Sequence, residues 1–148
     1  MKPVLALVFS VFLPLGTASA AQAAEPEVPQ LIQPGEVADL TSFLWHKRPV
    51  VVFADSPEDP RFKEQMARIN SEAAALLERD VVVLTDTTPK PVSALRKALR
   101  PRGFMLVLIG KDGGVKLRKP HPWTVRELSR SIDKFQDRLQ EVEDRREN

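Results

Sequence analysis

Three apolar runs and one shorter alternating segment along the chain have the length and composition of β-strands. Residues 49–53 and 81–84 are continuous and rich in valine, which is typical of strands covered on both faces of a sheet. The run 104–109 is followed by the turn 110–114, which contains three glycines, and then by a shorter run, 115–118. This spacing predicts a terminal β-hairpin. Charged residues on the last run favour an edge position in the sheet.

Between these strands, apolar residues recur at spacings of three and four, the period of an amphipathic helix. Residues 37–45 predict a short helix, and residues 92–99 predict another that ends before a proline. A longer helix is predicted to begin at Pro60 and continue to Leu76, because Asp59 is a suitable N-cap and proline is favoured at the first helical position.

The last predicted helix begins after Thr124, with Glu127 completing a capping box. Its apolar positions step by three and four without a break as far as Val142, which predicts one helix over residues 125–142. Leu139 and Val142 lie beyond the part expected to pack on the sheet, so they are candidates for pairing with a partner helix. The simpler interpretation is a core helix that frays at its end.

The predicted order is β-α-β-α-β-β-α, which indicates an α/β fold with a mixed sheet in which the last two strands are antiparallel. One domain is expected over residues 37–142. The prolines of residues 21–36 favour a flexible lead-in, and residues 143–148 form a charged tail.

The first twenty residues have the pattern of a signal peptide. Lys2 precedes the apolar run 4–15, and the small residues Ala18 and Ala20 satisfy the cleavage pattern, with a second site after Ala23 left open. The apolar run is too short for a stable membrane anchor. We therefore expect an exported protein, periplasmic or secreted, with no stable membrane anchor after cleavage.

Composition limits the chemistry that the chain can perform. It has no cysteine, which excludes disulfides, thiolate ligands and cysteine nucleophiles, so it is not a thiol oxidoreductase or a cysteine peroxidase. Two histidines are too few for a multi-histidine metal centre. The net charge of +2 gives no long-range attraction to nucleic acid. No cofactor and no nucleic-acid partner are expected.

An acidic loop is the first candidate site. Asp55, Glu58 and Asp59 follow the first predicted strand, and Asp86 follows the next one. In open α/β folds ligands bind at the carboxyl ends of the strands, and carboxylate oxygens are suitable ligands for hard cations. The simpler interpretation, which the pattern favours, is a solvated loop in which Asp59 caps the following helix.

A basic edge beside an aromatic residue is the second candidate. It could dock a polyanion, an acidic partner or an added strand, and the simpler interpretation is scattered solubilising charge. Its members are Lys116, Arg118, Lys119 and His121, with Trp123 close by.

The element order and the hairpin resemble those of thioredoxins and peroxiredoxins. The chain is similar to the bacterial family called domain of unknown function 4174 (DUF4174), a thioredoxin-like family without redox cysteines. This resemblance implies a thioredoxin-like three-layer sandwich and no established activity. It covers about residues 40–141 and rests on Trp45, 48–53, Asp59, Pro60, Gln65, 78–80, 110–116 and 132–133.

The resemblance also shows where redox residues would stand. A redox member carries its cysteine in the loop after the first strand, where this chain has residues 55–60. It also carries a cis-proline at the start of the third strand, where this chain has Phe104 and Met105.

These features favour a non-catalytic, extracytoplasmic binding or structural module, with an envelope or extracellular protein as its partner. The alternative is a metal-dependent or carboxylate-based enzyme that uses the acidic loop.

Overall fold

A computed structural model of the protein describes residues 30–36 and 38–148. The predicted signal peptide, residues 1–20, and residues 21–29 of the lead-in lie outside this part. The strands are β1 Ile32–Pro34, β2 Arg48–Phe53, β3 Val81–Asp86, β4 Met105–Ile109 and β5 Val115–Lys119. The helices are α1 Pro60–Ser71, α2 Ala73–Leu77, α3 Ala94–Leu99, α4 Val125–Ile132 and α5 Gln136–Glu147, and Leu40–Phe43 form a turn of 3-10 helix.

The strands form one mixed sheet in the order β1-β3-β2-β4-β5. The central strand β2 is parallel to β3 and antiparallel to β4, and β5 is the antiparallel edge predicted from its charges. Every residue of β2 is buried. This burial on both faces is the reason that β2 reads as a continuous apolar run rather than an alternating one.

Helices cover both faces of the sheet and complete the predicted three layers. On one face α1, α2 and α4 contribute Ile69, Leu76 and Leu128 to a core with alternate strand residues. On the other face α3 packs Leu95 and Leu99 against the remaining strand residues. The predicted α/β class, mixed sheet and three layers are thus confirmed.

One strand was missing from the predicted order. Strand β1 lies inside the segment predicted as a flexible lead-in, and it pairs in parallel with β3, with Ile32 opposite Val83. Three residues ending in a proline carry too little periodicity to indicate a strand. The strand forms because the edge of β3 offers backbone hydrogen bonds to residues 32–34, and a sequence pattern does not reveal such a partner.

Two predicted helices are each divided in the structure. The long helix after Pro60 breaks at Glu72 into α1 and α2. The last helix also breaks, because Phe135 adopts an extended backbone and packs its ring against the core. As a result α5 does not extend α4, and most of the predicted charged tail is helical. Within the described residues, none of the helices is both long and apolar enough to cross a bilayer.

Candidate functional site

The acidic loop after β2 makes mainly local contacts. Asp59 caps α1 by accepting a 2.9 Å hydrogen bond from the backbone of Arg61. The Arg61 side chain also donates to Asp59, and together these bonds hold the pKa of that carboxyl below its usual value. Glu58 pairs with Lys63 at the surface, and the Asp55 side chain is 66% exposed. The N-cap predicted at Asp59 is confirmed.

Asp86 behaves differently, because it is fully buried at the end of β3. Its Oδ1 accepts a 2.9 Å hydrogen bond from Nε of Arg96, and its Oδ2 accepts one of 2.5 Å from Ser93. Nη2 of Arg96 donates to the backbone oxygens of Ala54 and Asp86, at 2.7 and 3.1 Å. The guanidinium also lies 5.4 Å from the centre of the Phe53 ring. One buried arginine thus forms hydrogen bonds to the carboxyl ends of both β2 and β3.

Arg96 therefore occupies the position in which the sequence suggested an external cation. Its Nη1 lies 4.0 Å from Asp55 Oδ1, so two of the four predicted carboxylates face the same internal cation. In the described part of the chain no three acidic or histidine side chains are grouped to hold a metal ion. No sequence pattern indicates that Arg96 is buried, because a basic residue in a short helix is usually solvated.

The predicted basic edge divides between the two faces of the sheet. Lys119 lies on the face of Trp123, with its Nζ 4.4 Å from the ring centre. Arg118 points to the opposite face and donates to the backbone oxygen of Leu99. Lys116 pairs with Asp112 at 2.9 Å, and His121 is exposed without a place in either group. The structure does not bring these residues together as one cationic surface.

The candidate partner-helix residues lie on α5 rather than on an extension of α4. Leu139 is half-exposed and Val142 is partly buried. The charged side of α5, with Arg138 buried, packs against the domain instead.

A second charged cluster, which the sequence did not indicate, lies at the opposite end of the sheet. Arg48 is the first residue of β2 and has no exposed surface. Its Nη2 donates to Asp137 at 2.6 Å and to Glu141 at 3.0 Å, both on α5. Lys111 also donates to Glu141, at 2.6 Å. This cluster fastens α5 across the start of the central strand.

The cluster lowers the pKa of Glu141. Partial burial opposes ionisation of its carboxyl, but the hydrogen bonds from Lys111 and Arg48 outweigh that effect and lower its pKa from 4.5 to about 2. Glu141 therefore remains ionised throughout the physiological range and holds both cations.

Beside this cluster lies a pocket of about 370 Å³, where three segments meet. Trp45, just before β2, and Phe135, just before α5, are its aromatic walls. Trp45 is 70% exposed and has a left-handed backbone with φ of 63°. Its backbone N–H donates a 2.8 Å hydrogen bond to the backbone oxygen of Lys111. The remaining lining residues are Gly110, Lys111, Asp112, Lys116, Gln136 and Asp137.

Comparison with known proteins agrees with this architecture. The family described as "Domain of unknown function (DUF4174)" matches residues 39–141. Among solved structures, a reduced 2-Cys peroxiredoxin from Plasmodium vivax is 17% identical, with 70% of this chain and 85% of that one covered and a TM-score of 0.55. Chloroplastic thioredoxin z is 20% identical, with 74% and 96% covered and a TM-score of 0.53. At these identities the likeness concerns the fold alone.

Proposed function

The chain belongs to the DUF4174 family, and from this premise we propose that it is an exported, non-catalytic binding module on a thioredoxin-like fold. The observation that carries the non-catalytic part of the proposal is the buried ion pair between Asp86 and Arg96.

The pair lies at the end of the sheet where a redox member of the fold would carry its cysteine. The loop there is residues 55–60, and the chain contains no cysteine. The buried carboxylate of Asp86 is already neutralised by Arg96 and bonded by Ser93. A general base must be free to reach a substrate proton, and a metal site needs several unpaired oxygens. Asp86 meets neither requirement, which supports a non-catalytic role for this end of the sheet.

Export is proposed from the pattern of residues 1–20. Its test is a fusion of residues 1–36 to alkaline phosphatase, which is active only after export. We expect enzyme activity from the fusion and none from a control in which residues 4–15 are deleted. Equal activity of the two fusions would contradict export by this segment.

The non-catalytic part is tested against the metal-dependent alternative. Calorimetric titration of the purified protein with CaCl₂ and with MgCl₂ should give only heats of dilution. A matched variant, Asp55→Asn with Asp59→Asn, should behave identically. Saturable binding by the native protein that this variant loses would establish the acidic loop as a metal site and overturn the proposal.

Binding is tested by immobilising the folded protein and passing an envelope extract over it. The folded protein should retain a component that the same protein, unfolded in urea before coupling, does not retain. Identical retention by both forms would contradict a folded binding surface.

A further inference from the structure

We propose that the pocket between Trp45 and Phe135 binds a neutral saccharide, with the indole of Trp45 as its stacking surface. This inference rests on the proposed binding function and identifies the site and the class of ligand. The pocket volume of about 370 Å³ is within the usual range for small-molecule sites, about 300–1,000 Å³.

Trp45 is the first reason to regard this pocket as a site. A left-handed backbone is unfavourable for a bulky residue, and strained residues of this kind gather at functional sites. The residue is 70% exposed, so most of its surface makes no contact with the core. The fold therefore keeps a tryptophan in a backbone conformation that costs stability, and little of its surface offsets that cost by packing in the core. A role in binding accounts for that cost.

The charges around the pocket argue against an ionic ligand. Two lysines and two aspartates line it, so the formal charges of the lining cancel. Lys116 pairs with Asp112, Asp137 pairs with Arg48, and Lys111 pairs with Glu141. A bound anion or cation would compete with these internal partners. A neutral ligand would leave the pairs intact.

The groups that remain available suit a polyol. Trp45 and Gln136 are exposed, and the side chains of Asp112 and Asp137 are 47% and 40% exposed. A carboxylate has about four lone-pair sites, so each aspartate can accept a further hydrogen bond while it keeps its internal partner. Together these residues supply both donors and acceptors. Each sugar hydroxyl is itself a donor and an acceptor, and the apolar face of a sugar ring can pack on an aromatic ring. A neutral saccharide thus matches the mixture of exposed donors, acceptors and aromatic surface at this pocket.

The two tryptophans of the chain provide the readout. Indole N–H signals of ¹⁵N-labelled protein would be followed during titration with maltotriose, cellobiose and N,N′-diacetylchitobiose. At least one sugar should shift the Trp45 signal saturably, while the Trp123 signal stays in place. Trp45→Phe should retain binding, followed at the backbone signals of Lys111 and Gln136, and Trp45→Ala should weaken it at least about tenfold, as loss of a stacked ring implies. Leu77→Ala, at another exposed apolar position, should bind like the native protein.

Absence of a Trp45 shift with all three sugars up to about 50 mM would overturn the inference, since a dissociation constant above that value corresponds to no useful affinity. A shift with lysine methyl ester or glutamate, but not with sugars, would equally overturn it and indicate an ionic pocket. Neither result affects the export or metal tests. Appearance of new reducing ends during the titration would instead overturn the non-catalytic proposal while leaving the saccharide site standing.

Discussion

Nη2 of Arg48 lies 2.6 Å from Oδ2 of Asp137, a hydrogen-bonded ion pair between residues 89 positions apart in the chain. It joins the first residue of the central strand to the first turn of the last helix. Arg48 is fully buried, whereas Asp137 remains 40% exposed. Because a buried charge needs a partner, this pair holds α5 on the domain although α5 presents few apolar residues to it.

Replacing Arg48 should therefore release α5. In Arg48→Met the apolar stem is kept and the charge removed, which leaves Asp137 and Glu141 without their shared partner. We expect a loss of about 3 kcal/mol in the free energy of unfolding, measured by urea denaturation, and faster hydrogen exchange in α5. The control Arg146→Met removes a pair in which the arginine is 73% exposed and should cost less than about 0.5 kcal/mol. Equal midpoints for the two variants would contradict the role of Arg48.

Glu141 should make stability depend on pH. Its pKa in the folded protein is below its ordinary value, so its contribution is fully present above pH 4.5 and is lost as the pH falls towards about 2. This lowering of the pKa corresponds to a contribution of about 3 kcal/mol to the free energy of unfolding at neutral pH. Glu141→Gln should be less stable than the native protein at pH 7 and should approach it near pH 2. Urea unfolding at a series of pH values checks this, with Glu143→Gln as the exposed control. A difference that stays constant across the range would refute it.

Removing a charge from the buried pair of Asp86 and Arg96 should lower the free energy of unfolding far more than removing one from the exposed loop beside it. Asp86→Asn leaves a guanidinium without its counter-charge and should cost about 3–5 kcal/mol. Asp55→Asn alters a 66% exposed side chain 4.0 Å from the same arginine and should cost less than about 0.5 kcal/mol. Thermal and urea unfolding of both variants provide the comparison.

The double variant Asp86→Leu with Arg96→Met tests the cause of that loss. It removes both charges together, so it should be more stable than Asp86→Asn alone. A double variant that is less stable than the single one would show that shape rather than charge decides at this position.

The left-handed backbone at residue 45 should strain any residue that has a Cβ atom. Glycine adopts a positive φ without a steric penalty and alanine does not, so Trp45→Gly should be more stable than Trp45→Ala by about 1 kcal/mol. Denaturant unfolding of the pair measures the difference. If Trp45→Ala were as stable as Trp45→Gly, or more stable, residue 45 would not have the left-handed conformation in solution.

Much of the fold follows from short-range patterns. The buried strands β2, β3 and β4 are visible as apolar runs, and the caps at Asp59 and Thr124 are visible as residue types. These predictions succeeded because a strand that is buried on both faces must be apolar at nearly every position, and because a cap involves residues within one turn of the helix. The lack of cysteine likewise needs no structure, since it removes thiol chemistry from any fold.

The tertiary structure decided what depends on distant partners. Strand β1 exists because β3 offers an edge, and α5 does not continue α4 because Phe135 is extended and packs in the core. Arg48 is buried because two carboxylates of α5 meet it. The same holds for Arg96, which the sequence presents as one more surface charge, and for the pocket at Trp45, whose walls come from three separate segments. Composition and periodicity report which residues tend to be buried. They do not report which charges will meet, because a charge that is costly to bury alone becomes tolerable only beside a partner that folding brings to it.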